Sequence, residues 1–177
     1  MMYRKQYRSP LGMITLNADG ENLTAVCFED GKDYGRYIQD GEERDLPIFD
    51  EAIQWLDQYF QGKDPGPIPR YKRNDMTPFR QEVIDELLKI PYGQTVTYRD
   101  LAKAICAKRG WKRMSAQAVG GAVGWNPICI MIPCHRVVGS NGSLMGYGGG
   151  IHNKLKLLAL EGVDTSSYTI PKKGTAL

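Results

Sequence analysis

The chain has 177 residues, 42% hydrophobic and 24% charged, which is ordinary for a globular protein and enough for one good core or two small ones. No run approaches the roughly 18 apolar residues of a membrane helix, and no apolar signal core follows the N-terminal Met-Met-Tyr-Arg-Lys-Gln, so a cytoplasmic protein without membrane contact is expected. The net charge of +3 hides an asymmetry, because residues 1–69 carry 7 basic and 13 acidic side chains while residues 70–177 carry 16 and 7.

That split suits either a polyanionic partner for the C-terminal part alone or plain solvated surface charge. The four cysteines, Cys27, Cys106, Cys129 and Cys134, form no paired framework, so thiols in a reducing compartment are expected. Cys129 and Cys134 lack zinc-type spacing, and only His135 and His152 could complete a site. No structural metal is expected.

Taken in chain order, residues 13–18 alternate around Ile14, Leu16 and Ala18. Asp19-Gly20 reads as a hairpin turn, and residues 23–28 form a second β-rich run. A helix is predicted over residues 49–61, with Phe49, Ile53, Leu56 and Phe60 on one stripe and Gly62 as its stop. Residues 62–74, holding Pro65, Gly66, Pro67 and Pro69, read as a linker where the charge changes sign. Two domains follow, 1–74 and 75–177.

Thr77-Pro78 opens the second domain as an N-cap with proline at the first helical position. Phe79, Val83, Ile84, Leu87 and Leu88 make that helix's buried stripe, and Pro91-Tyr92-Gly93 ends it. A capping box at Thr97 and Asp100 starts the next helix, with Leu101, Ala102 and Ile105 inward. A third runs from Ser115 to about Gly124. The pair, joined by a connector carrying Lys108, Arg109, Lys112 and Arg113, reads as a helix-turn-helix. The third helix is unusually bare: Ala116, Ala118, Gly120, Gly121 and Ala122 leave little bulk. Each glycine costs about 1 kcal/mol relative to alanine in a helix interior. Either a neighbouring helix or a nucleic-acid groove comes close to its backbone.

Ile130-Met131-Ile132 is an apolar run of β type that ends at Pro133 and delivers Cys134-His135-Arg136. An ordinary thiol, with a pKa near 8.5, is only a few per cent thiolate at neutral pH and needs a base nearby. In extended chain Cys134 and His135 would point to opposite faces, so their contact needs a bridging water or a bend. On the dipeptide alone, a buried structural cysteine and a nucleophile both remain open.

The longer string Pro133-Cys134-His135-Arg136-Val137-Val138 closely resembles the active-site signature of the O6-alkylguanine-DNA alkyltransferases. The resemblance runs from Ala118-Val119-Gly120-Gly121-Ala122 through Asn126-Pro127, Ile132 and Gly146-Tyr147 to Glu161-Gly162. Upstream, Thr77-Pro78-Phe79, Ile90-Pro91-Tyr92-Gly93 and Val96-Thr97-Tyr98 are also similar, as is Ser9-Pro10-Leu11-Gly12.

What the resemblance implies is an α/β (α+β) fold, with a ribonuclease-H-like N-terminal domain and a winged-helix-like, helix-turn-helix C-terminal domain. Its activity would be a single irreversible transfer of an alkyl group from O6-alkylguanine in double-stranded DNA to Cys134, with O4-alkylthymine a further candidate. The protein would act as a monomer, without metal or organic cofactor. His135 would deprotonate Cys134 through a water, and Glu161 would orient the imidazole. Asn126 would hold the active-site turn, Tyr98 would donate a proton to the departing purine, and Lys154 would assist polarisation. Tyr147, Gly148 and Gly149 would wall a pocket for the flipped base, while Ala118 and Arg136 would join the DNA-binding set. An alkyl carbon on guanine O6 is a soft electrophile suited to a thiolate, and reaching it requires the base outside the stack.

Three features depart from the family pattern. Gln117 stands where the family places an arginine finger, Gly148 where a serine is common, and the connector from Cys106 to Met114 is long. Alternative readings are a non-catalytic sensor of alkylated DNA, which would lack the acceptor cysteine, and a helix-turn-helix regulator. A cysteine hydrolase is a third, but the sequence offers no evident oxyanion device.

Overall fold

In the computed structural model, which describes residues 1–73, 75–144 and 146–171, the chain divides into two units. The first gathers Met1–Asn74, Pro127–Met131 and Gly148–Gly150; the second gathers Asp75–Asn126, Ile132–Tyr147 and Ile151–Leu177. The expected 75–177 segment therefore gives two short pieces to the first unit.

The first unit is built on a four-stranded sheet in the order β3-β2-β1-β4. Strands β1 (Tyr3–Ser9), β2 (Gly12–Ala18) and β3 (Leu23–Phe28) pair antiparallel, with Tyr7 opposite Ile14 and Leu16 opposite Val26. The one-turn helix α1 (Tyr34–Tyr37) and the two-residue β4 (Glu42–Glu43), parallel to β1, follow. Central β2 is buried on both faces, so its polar side chains need partners. Asn17 donates to the Tyr3 and Gln39 carbonyls and accepts from the Gln39 N–H. Helix α2 (Pro47–Phe60) begins at Pro47, two residues before the prediction, and buries Ile48, Phe49, Ala52, Trp55, Leu56 and Tyr59. Ile53 and Phe60, placed on its stripe by the sequence, are only half-buried.

The predicted linker is partly structured. Leu23 and Tyr71 form a β-bridge, and the Trp55 indole donates to the Gly66 carbonyl. Further along β3, the Val26 N–H donates to Pro127 O and the Cys129 N–H to Val26 O. Pairing stops there, and Ile130 takes a left-handed φ of 71°. The strand expected over 130–132 is thus a turn. Its apolar run records burial, since Ile128, Ile130, Met131 and Ile132 are all inside.

In the second unit, helices α3 (Pro78–Leu88), α4 (Tyr98–Arg109) and α5 (Ala116–Gly124) pack on one another. Their starts follow the sequence signals. Thr77 accepts from the Arg80 N–H, Thr97 and Asp100 form a reciprocal capping box, and Ser115 accepts from the Ala118 N–H. Helix α3 differs from expectation on its inner face: Leu88 is exposed and Phe79 half-buried. Glu86 is buried instead, ion-paired to Lys89 at 2.8 Å and Lys108 at 2.7 Å. Strands β5 (Val96–Thr97) and β6 (Val137–Val138) pair in parallel, and α6 (Ile151–Leu160) follows. Val138, Leu144 and Leu158 form a small core beneath Ile151, Leu155, Tyr168 and Ile170. Among the described residues no helix is long and apolar enough to cross a membrane.

Candidate active site

Cys134, His135 and Arg136 form one 3-10 turn, not the extended chain assumed from sequence. Successive side chains of such a turn fan out by about 120°, so the three residues reach different partners. The β5–β6 pair ties this turn to the start of α4, where Val96 lies opposite Val137. That pairing carries Tyr98 into the neighbourhood of the thiol.

Cys134 is 8% exposed. The Asn126 amide donates to its sulfur at 3.1 Å and to the Ile132 carbonyl at 2.8 Å, holding both ends of the bend before the cysteine. Lys154 is buried, donates to the Val137 carbonyl at 2.6 Å, and lies over the Tyr98 ring at 5.8 Å. Burial lowers its pKa to about 8, against the opposing pull of Cys134. Burial, then the charge of Cys134, raises the Tyr98 phenol well above its usual range. It therefore keeps its proton at neutral pH.

His135 is wholly buried, with Nε2 at 2.5 Å from Glu161 Oε2. Burial lowers its pKa despite the carboxylate, which favours the neutral imidazole, the form able to accept a proton. For Glu161, burial pushes upward, but the hydrogen bonds and charges of His135 and Arg136 outweigh it and hold the pKa at about 2. The carboxylate also accepts from Arg136 Nε at 2.7 Å and from the Gly93 N–H at 3.0 Å.

Arg136, expected among the DNA-binding residues, is buried and faces inward. It donates to Glu161 and, at 2.8 Å, to the Ile90 carbonyl. The sequence signal for this bracing is the string Ile90-Pro91-Tyr92-Gly93. Its backbone supplies both contacts.

Tyr147 is buried, its ring centroid 6.3 Å from that of His135 and the two planes 65° apart. Gly148 and Gly149 belong to the first unit. A Cβ at Gly148 would meet the Asp33 carboxylate, so a side chain there would require Asp33 to shift. Sequence reasoning gave Asp33 no part in this.

A cavity of about 820 Å³ opens in the second unit between α4, α5 and residues 139–141 with Gly146. Tyr98, Gln117, Gly120 and Asn141 line it; among the described residues Tyr147, Gly148 and Gly149 do not. Helix α5 buries Val119, Ala122 and Val123 but exposes Ala116, Gln117, Ala118, Gly121 and Gly124. A Cβ at Gly120 would reach the Tyr98 ring at 3.9 Å, while one at Gly121 or Gly124 would meet nothing within 4 Å. Among the described residues no neighbouring helix packs on that bare face.

Cys27, Cys106 and Cys129 are buried, as the sequence suggested, and His152 is exposed. Among the described residues no three of His, Cys, Asp and Glu gather as a metal site.

Residues 2–66 match the family described as 6-O-methylguanine DNA methyltransferase, ribonuclease-like domain, and residues 78–163 match its DNA binding domain. A methylated-DNA–protein-cysteine methyltransferase of Haemophilus influenzae is 36% identical over 162 residues, covering 90% of this chain and 86% of its own. One from Methanosarcina acetivorans is 39% identical over 167 residues, covering 91% and 99%. Among solved structures, Mycobacterium tuberculosis OGT in complex with DNA is 37% identical with a TM-score of 0.73, covering 90% of this chain and 92% of that one. The mixed α/β fold, with an N-terminal domain and a helical C-terminal domain, is the one these relatives share. The chain belongs to the 6-O-methylguanine DNA methyltransferase family.

Proposed function

We propose that this protein repairs DNA by moving an alkyl group from guanine O6 onto Cys134, once per molecule. The observation that carries the assignment of the acceptor is the Asn126 amide on Cys134 Sγ, next in sequence to an imidazole held by the Glu161 carboxylate, with the imidazole pKa lowered by burial. His135 takes the thiol proton through a water, using the ring edge away from Glu161. The sulfur attacks the alkyl carbon in line, the carbon–O6 bond breaks, and O6 becomes a carbonyl. The purine takes a proton from Tyr98, whose phenol is still protonated, and the Lys154 ammonium beside that ring steadies the charge left behind. Arg136 acts through Glu161 as a positioning residue. The product is a thioether, and none of these groups can hydrolyse it.

The partner is duplex DNA carrying O6-alkylguanine, bound by a monomer in the cytoplasm. The exposed face of α5 meets the DNA, with Ala118 close to it and Gln117 filling the gap left by the flipped base. We read the first unit as ribonuclease-H-like, on its β3-β2-β1-β4 sheet, and the second as winged-helix-like, on its three packed helices. A sensor would need neither the acceptor thiol nor the groups around it.

Incubation with a duplex holding one O6-methylguanine tests the assignment. The intact mass should gain one methyl in place of a hydrogen, mapped to Cys134, and Cys134→Ser should bind duplex without gaining it. Methyl on another cysteine would overturn the mechanism.

A further inference from the structure

Two short strands feed the cavity of the second unit. Parallel β5 and β6 run side by side. The first leads into Tyr98 and the second into Gly139, Ser140 and Asn141, and all four of these residues line the space. Two paired residues per strand are little to hold such a lining, since even a whole isolated hairpin is marginal in water. The segment after α6 adds a second tie.

The turn over residues 139–144 closes on itself: the Gly139 N–H donates to Ser143 O at 2.8 Å and the Gly142 N–H to Gly139 O at 3.0 Å. Residues 165–170 lie against it. Ser143 and Thr169 form a parallel β-bridge, in which the Leu144 N–H donates to Thr169 O at 2.8 Å and the Thr169 N–H to Gly142 O at 3.0 Å. Gly142 takes a left-handed φ of 77°, and a Cβ there would stand 2.9 Å from Ser167 O. Tyr168 is half-buried against the small core of Val138, Leu144 and Leu158. Its hydroxyl lies 3.1 Å from Thr95 Oγ1, at the entry to β5. One short segment is therefore bonded to both stretches that end in the cavity lining.

We propose that residues 165–170 are a strap that fixes the width of this cavity and so helps to decide which O6-alkyl groups react. A small alkyl group touches little, and its carbon meets the sulfur in line only if the surrounding walls hold the base. A bulky group makes contacts of its own and is limited by room. Tied walls thus favour small groups, and loosened walls admit bulky ones at the expense of small ones. Tyr168 and Thr169 act as positioning residues, outside the lining itself. The inference rests on the repair reading, which makes this cavity the one that receives the base.

The hydroxyl tie can be cut from either end: Tyr168→Phe keeps the ring in its core, and Thr95→Val keeps the branched shape. One neutral hydrogen bond shifts an equilibrium by up to about tenfold. Each variant should therefore slow single-turnover methyl transfer from O6-methylguanine in a duplex by about threefold to fivefold, with duplex affinity kept. The benzyl-to-methyl rate ratio, read on matched duplexes, should rise by a similar factor. The double variant should do no more than either single, because both remove the same bond. A ratio that stays at the parent's value would overturn the inference, and so would losses that add in the double variant. Hydrogen exchange gives a reading that needs no substrate: in Tyr168→Phe the amides of residues 95–98 and 139–144 should exchange faster together. Unchanged protection in either stretch would likewise overturn the strap. A parent protein that takes no methyl onto Cys134 would instead overturn the repair reading, with the exchange result still deciding whether the strap exists.

Discussion

Cys27 and Cys134 are both largely withdrawn from water, 4% and 8% exposed, yet their surroundings differ in kind. Around Cys27 burial dominates, with the Asp33 charge adding to it, and the thiol is pushed up to about 12. Its hydrogen-bond partner is a carbonyl, Pro127 O, at 3.9 Å, which favours the protonated thiol. Around Cys134 stand a donor, Asn126, and a nearby ammonium, Lys154. Burial alone makes a cysteine inert; burial among donors and cations makes a site where an anion can form and where water competes little. The difference lies in the polar groups that each region keeps inside.

Removing the ionised carboxylate is the strongest way to move Cys134 toward the behaviour of Cys27. Glu161→Gln leaves the buried Arg136 without its counter-charge, at a cost of about 3–5 kcal/mol in stability. Transfer at pH 7 should fall about a hundredfold or more as the base weakens, and the loss should shrink toward pH 8.5, where an ordinary thiol ionises unaided. The stability difference has its own pH window. Because the folded pKa is depressed to about 2 from an ordinary 4.5, Glu161's contribution is complete above 4.5 and lost as pH falls toward 2. Denaturant melts of parent and variant that fail to converge in acid would show that Glu161 is not held ionised.

Lys154 sharpens the comparison from the cationic side. Its folded pKa of about 8 lies below the ordinary 10.5, so the unfolded chain binds that proton more tightly. Parent stability, measured against Lys154→Met, should therefore rise between pH 8 and 10.5, by about 3 kcal/mol at most. A constant difference across that range would mean that the buried ammonium titrates normally.

The smallest effect concerns Gln117, exposed on α5 and lining the cavity. A neutral amide bond contributes about 0.5–1.5 kcal/mol and a charge-assisted one about 1.5–3. Gln117→Arg should then speed transfer from duplex several-fold and leave reaction with free O6-benzylguanine, which needs no flipping, unchanged. Equal acceleration on both substrates would remove Gln117 from the role of gap filler.

Helix starts were legible because caps are local. Thr77, Thr97 and Ser115 each accept the backbone bond their position in the sequence implied. Cys134, His135 and Glu161 were legible through one specific string and its distant partner. What could not be read depends on the third dimension. An arginine beside the nucleophile looks like a surface cation until Glu161 and Ile90 are seen around it. A β-branched run looks like a strand until pairing ends at Cys129 and Ile130 turns left-handed. Leu88 looked buried by spacing, but Glu86 holds the inner position because two lysines neutralise it.

The edge of β3 is finished by residues that come much later in the chain: Cys27 and Pro127, in contact through sulfur and carbonyl, are 100 residues apart. During synthesis, at about 5–20 residues per second, that gap lasts roughly 5–20 s. Through that interval the N-terminal sheet has been made but lacks this bordering segment, leaving Val26 with a bare N–H and carbonyl on an edge of the kind that recruits foreign strands. Chain order thus sets a folding schedule, in which the first unit waits for its own residues 127–131, made after helices α3 to α5, before this edge can close. A nascent chain stalled before Pro127 should be the form most in need of a chaperone.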